Sequence, residues 1–131
     1  MKLEDQQVSQ DLSRQLKDAG YPQEGLWWWS NYSSEDLKEY SLVGNEYKSK
    51  CGSFVAAYFI VAPTVAELGE ALKDKDEYKY FLWGYHLPKR DCFDLILENS
   101  KRTEILCEIR ATIEADARAK MWLYLKKEKL I

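Results

Sequence analysis

The chain has 131 residues, 46% apolar and 31% charged, with a formal net charge of −3. That size and balance fit one globular domain with its own core and exclude a disordered chain. An acidic chain is a poor general binder of nucleic acid, since phosphates are neutralised by cations. The longest apolar run, Phe54 to Pro63, is too short to span a bilayer as a helix.

Residues 1–7 are polar and expected to fray. Ser9 has the character of an N-cap, Leu12, Leu16 and Ala19 recur at helical spacing, and Gly20 with Pro22 beyond it supplies a stop. Residues 10–19 therefore read as a short amphipathic helix. Leu26 to Ser30 reads as a strand, because aromatic residues favour strands. Its three tryptophans cannot share a face: Trp27 and Trp29 point one way and Trp28 the other. The expectation is that Trp27 and Trp29 join the core while Trp28 needs a further partner.

Residues 31–50 are polar, with a helix start in Ser33-Ser34-Glu35-Asp36 and a turn at Gly44-Asn45. A strand near Glu39–Val43 and another near Glu46–Lys50 would form a hairpin about that turn. Ser53 to Val61 is dense in β-formers without alternation, which places it at the centre of a sheet. Pro63 ends it. Thr64 with Glu67 three residues on forms a capping box, so Val65 to Lys73 reads as a helix with the stripe Val65, Leu68 and Leu72.

Tyr78–Leu87 and Asp91–Glu98 read as strands around Pro88-Lys89-Arg90, and Asn99–Arg102 as a hairpin loop leading to a strand over Thr103–Arg110. From Thr112 to about Glu128 the pattern is helical. Ala115, Arg118, Ala119, Trp122 and Leu125 trace one face, widened by Ala117, Met121 and Tyr124. A helix apolar over so much of its circumference docks deeply on a sheet or a second chain. With no βαβ repeat and no internal period, the expected fold is a single α+β domain over residues 1–131. It should hold a largely antiparallel sheet of about six strands with three helices, N-terminal, central and C-terminal.

Little in the chain carries chemistry. Cys51, Cys92 and Cys107 have no CxxC spacing and there is one histidine, His86, so no metal site and no cofactor are expected. Reduced thiols and a polar, charged N-terminus suggest a cytoplasmic protein. A nucleophile needs a base within reach, and the one combination on offer is His86 with Cys92 and Asp91 across a turn, a weak alternative site. P-loop and GxGxxG motifs are absent.

Charge is uneven: residues 1–40 hold four Lys/Arg against eight Asp/Glu, whereas residues 118–129 hold five against Glu128 alone. The basic end suits the C-terminal dipole of a helix and leaves room for a phosphate-contacting patch. Aromatic residues beside cations, which could stack bases, occur at Trp27–Trp29, at Tyr78–Trp83 with Lys79, and at Trp122 with Lys126. So many tyrosines and tryptophans more often build a core and a protein interface. Trp27, Trp28, Trp29 and Trp122 are the candidate contact surface, for a second copy of the chain or another protein.

Three modules occur in fixed order: a helix closing on Ala19-Gly20-Tyr21-Pro22-Gln23, a strand running to Ala62-Pro63-Thr64-Val65-Ala66-Glu67-Leu68, and the final-helix run Glu114 to Leu123. In these the chain resembles small uncharacterised proteins of phages, prophages and bacterial genomes. The resemblance implies a bacterial or phage-borne intracellular protein and carries no catalytic residues. The sequence thus points to a non-enzymatic interaction module, with a nucleic-acid or nucleotide accessory protein as the alternative and a small hydrolase or transferase behind it.

Overall fold

A computed structural model describes residues 6–32, 34, 37–52, 58–72, 80–87, 89 and 92–131. The elements run α1 (Gln10–Asp18), β1 (Trp27–Ser30), β2 (Ser41–Gly44), α2 (Asn45–Cys51), β3 (Phe59–Val61), α3 (Val65–Ala71), β4 (Tyr80–Leu87), β5 (Cys92–Asn99), β6 (Ile105–Ala111) and α4 (Glu114–Lys127). The class is α+β, with six antiparallel strands among the described residues. They form two three-stranded sheets, ordered β2-β1-β3 and β4-β5-β6.

Helix α4 organises the core. It meets α1 and α3 on one side and β5 and β6 on the other, which is why Ala115, Ala117, Ala119, Met121, Trp122 and Leu125 are all buried. Small residues on one side let helices approach closely while Met121, Trp122 and Leu125 fill the remaining space. The breadth of its apolar surface is thus used up within one chain. At its start the Asp116 carboxylate accepts the backbone N–H of Ser9 at 2.8 Å, joining the first turn of α4 to that of α1. The Ser9 side chain itself makes no capping bond.

The expected capping box at α3 is present. Thr64 Oγ1 accepts the Glu67 N–H at 3.2 Å, and Glu67 Oε1 accepts the Thr64 N–H at 3.1 Å. Gly20 at the end of α1 has φ +94°, a left-handed conformation that glycine adopts without strain.

Two expectations change. Residues 45–51 form helix α2, where a hairpin strand was expected. Tyr47 and Cys51 lie one turn apart and both pack against the core, while Glu46 in the first turn and Lys48 and Lys50 in the last suit the helix dipole. Among the described residues Phe59–Val61 pairs with β1 alone, at the edge of its sheet rather than the centre. It is buried throughout because both its faces are covered, not because it has two neighbours. The rest of that run, residues 53–57, lies outside the described residues, as do Ser33, Glu35 and Asp36 of the suggested helix start. The middle strand of this sheet is the tryptophan strand β1.

Candidate contact surface

The tryptophan strand does not offer the surface expected of it, and its faces are reversed. Trp28 is 4% exposed and Trp122 6%, whereas Trp27 and Trp29 are half-buried. The partner that Trp28 requires is α2. Its indole N–H donates to Asn45 Oδ1 at 3.3 Å, and the Lys48 ammonium sits 4.4 Å from the ring centroid. Trp29 serves the opposite face, its indole N–H donating to the Val8 carbonyl ahead of α1 at 2.8 Å. Trp122 meets Tyr21 edge to face at 5.2 Å. Burial and Glu67 together push the Tyr21 phenol up to about 12.

The suggested cluster of His86, Asp91 and Cys92 does not assemble. Across the β4–β5 ladder His86 pairs with Phe93 and Leu87 with Cys92. Paired residues share a face and successive residues alternate, so the imidazole and the Cys92 thiol point to opposite sides of the sheet. His86 lies edge to face on Phe93, ring centroids 5.0 Å apart; Asp91 lies outside the described residues. Among the described residues no group of His, Cys, Asp and Glu could hold a metal ion, and no helix is long and apolar enough to cross a membrane.

The second sheet holds the surface that remains. Its inner face carries Phe93, Leu95 and Leu97 into the core. On the opposite face β4 aligns Phe81, Trp83 and Tyr85, exposed by 38%, 40% and 38%. Alternation fixes this row, because every second residue of a strand shares a side. Gly84, between the last two, faces inward under the Phe93 ring: a Cβ there would stand 2.5 Å from Phe93 Cζ. Trp83 and Tyr85 stack at 5.6 Å with an interplanar angle of 22°, and the Arg102 guanidinium lies 5.2 Å from the Phe81 centroid.

Polar groups bordering the row are paired with one another. Glu98 accepts the Trp83 indole N–H at 3.1 Å on one carboxylate oxygen and Arg102 Nε at 3.2 Å on the other. Asp94 is buried although it faces outward, under a cover one side chain thick formed by Tyr85 and Arg110. Its Oδ2 accepts both the Tyr85 hydroxyl and Arg110 Nη2 at 3.1 Å. Burial pushes the Asp94 carboxyl up, but bonds from Arg110, Glu108 and Tyr85 outweigh it and hold the group below the usual carboxylate range.

Among the described residues Asp94 Oδ1 is buried with no fixed donor. The neighbouring Asp94 carboxyl, first as an acceptor and then as a charge, raises the Glu108 pKa. The bond to Asp94 likewise raises the Tyr85 phenol.

Sequence reading singled out Tyr78–Trp83 with Lys79 as an aromatic run but missed Tyr85 and the shared face. The available signal was the alternation of Phe81, Trp83 and Tyr85 in a stretch, Tyr80–Leu87, without a single Asp, Glu, Lys or Arg. Tyr78 and Lys79 lie outside the described residues. Comparison of the chain with protein-family models, curated proteins and solved structures returns no match.

Proposed function

We propose that this chain is a binding module without chemistry of its own, and that its contact surface is the Phe81, Trp83 and Tyr85 row on the second sheet. The observation that carries this reading is three large rings in line on one open face, each about two-fifths exposed. Trp and Tyr are the residues on which protein interfaces most depend, and scattered single exposures would need no explanation.

The chemistry of the partner follows from the charges. Arg102 is bonded to Glu98, and Arg110 to Asp94 with Glu108 nearby at 3.9 Å. Arg102 and Arg110 are thus neutralised by carboxylates, which weakens their attraction for a polyanion. One face of each ring is also engaged, Trp83 with Tyr85 and Phe81 with Arg102, which leaves less aromatic surface for a stacked base. An uncharged, apolar protein surface fits better than nucleic acid.

A displayed library of random peptides, panned against the protein and counter-selected against Trp83→Ser, tests the reading. Enrichment of neutral, apolar peptides whose affinity falls at least about tenfold on that substitution supports it. Peptides that bind both proteins equally, or no enrichment at all, would sink it.

A further inference from the structure

Strand β4 is an edge: among the described residues it pairs with β5 alone. Its register with β5 runs unbroken from Tyr80↔Asn99 to Leu87↔Cys92. From Phe81 to Leu87 it carries no charged residue and no proline. The opposite edge, β6, is guarded: it carries Glu108 and Arg110, and its register with β5 shifts between Leu97 and Glu98. The outer strand β2 of the first sheet is only four residues long. Long, regular, uncharged edges are what proteins ordinarily avoid, because the free N–H and C=O row accepts another strand; charges, prolines, bulges and short length are the usual guards. Among the described residues strand β4 has none of the four.

We infer that β4 pairs antiparallel with β4 of a second copy about a two-fold axis, giving one six-stranded sheet ordered β6-β5-β4-β4-β5-β6. A backbone edge selects a strand as its occupant, and β4 is itself such a strand. Self-pairing sets no like charges opposite each other, although the chain as a whole is net acidic. Pairing of β4 with β4 uses the Phe81–Leu87 edge of each copy once and closes at two copies. Growth from β4 onto β6 of the next copy would meet the register break and the charges there. In the register centred on Gly84, Trp83 stands opposite Tyr85 of the second copy, an aromatic cross-strand pair of the kind that stabilises sheets. The two aromatic rows then lie side by side on one face.

This inference rests on the reading of β4 as the contact element and names a second copy as its partner. The two can fail separately: a strictly monomeric protein that still binds apolar peptides through Trp83 defeats only the pairing. The test combines light scattering with amide hydrogen exchange on the wild-type chain over a dilution series. Twice the chain mass at high concentration, falling to one chain on dilution as the alternate Phe81–Leu87 amides that face away from β5 lose protection, is the expected result. The double substitution Trp83→Lys/His86→Lys charges both faces of the edge and should raise the dissociation constant at least about tenfold, whereas Ser41→Lys on the β2 edge should leave it unchanged. A single-chain mass at every concentration would overturn the pairing. So would a dimer in which those outward β4 amides exchange freely, a readout that stands even if the double variant does not fold.

Discussion

Trp83 and Tyr85 stand side by side on the open face of the second sheet, stacked at 5.6 Å, and each is anchored at its polar end to the neighbouring strand β5. The Trp83 indole N–H is held by Glu98 and the Tyr85 hydroxyl by Asp94. The rings are therefore fixed in place before any partner arrives, which lowers the entropy lost on binding. Trp83→Ser should reduce affinity for selected peptides at least about tenfold while changing stability by no more than about 1 kcal/mol. Titration calorimetry and a denaturant melt of the same sample measure the two effects.

Gly84 separates those rings, and its role is steric. Phe93 Cζ and Cε1 would lie 2.5 and 2.8 Å from a Cβ at this position, with the Asp94 carbonyl oxygen at 3.0 Å. The Phe93 ring cannot retreat freely, since His86 packs edge-on against it and the Arg118 guanidinium lies 5.9 Å from its centroid. Gly84→Ala should cost about 1–3 kcal/mol, the usual range for overpacking, read as a lower urea midpoint.

The carboxyl pair gives stability a distinctive pH dependence. Asp94 has a depressed folded pKa, so its contribution is present above the ordinary carboxylate value and is lost as pH falls through the folded one. Glu108 has a raised folded pKa, so its contribution is complete below the ordinary value and is lost as pH rises through the folded one. Together they place the largest contribution near the ordinary carboxylate range, about pH 4, with a decline on either side. Glu108→Gln supplies a permanent neutral donor and should remove the decline on the alkaline side, seen as a flatter curve of melting temperature against pH. A wild-type curve with the same alkaline slope as the variant would contradict this.

Trp122 separates a core role from a surface role. At 6% exposed and packed on Tyr21, it should cost about 3–5 kcal/mol on Trp122→Ala. Thr64→Ala removes only the reciprocal cap of α3 and should cost about 1 kcal/mol. Chemical denaturation of the two variants side by side reads both values.

Single-stranded DNA should not bind measurably even at low salt, because the arginines beside the aromatic row are already paired with carboxylates. Anisotropy of a labelled oligothymidine measures this. Binding that weakens as salt rises would instead favour a phosphate contact by the basic end of α4.

Local patterns made much of the fold legible. Helix α1 showed itself by spacing, α3 by its capping box, α4 by its broad apolar surface, and the β4–β5–β6 meander by aromatic and aliphatic runs between turns. What the sequence could not display depends on neighbours distant along the chain. Residues 45–51 have no strong local preference, and Tyr47 and Cys51 become a helix face only against the core. The tryptophans were correctly split between two faces, but which face is better covered depends on α2 on one side and Val8 on the other. The proposed contact surface was half visible: an aromatic run from Tyr78 to Trp83 could be read directly, whereas its extension to Tyr85 and its place at a sheet edge required the strand order.

Hydroxyl-radical footprinting, resolved residue by residue, distinguishes the β4 row from the tryptophan strand most directly. It should be run on the protein alone and saturated with a selected peptide. The expected result is strong labelling of Phe81, Trp83 and Tyr85 that falls on binding, with Trp28 and Trp122 protected throughout. Protection gained at Trp27 and Trp29 while Trp83 stays fully labelled would place the contact on the other sheet and contradict the assignment.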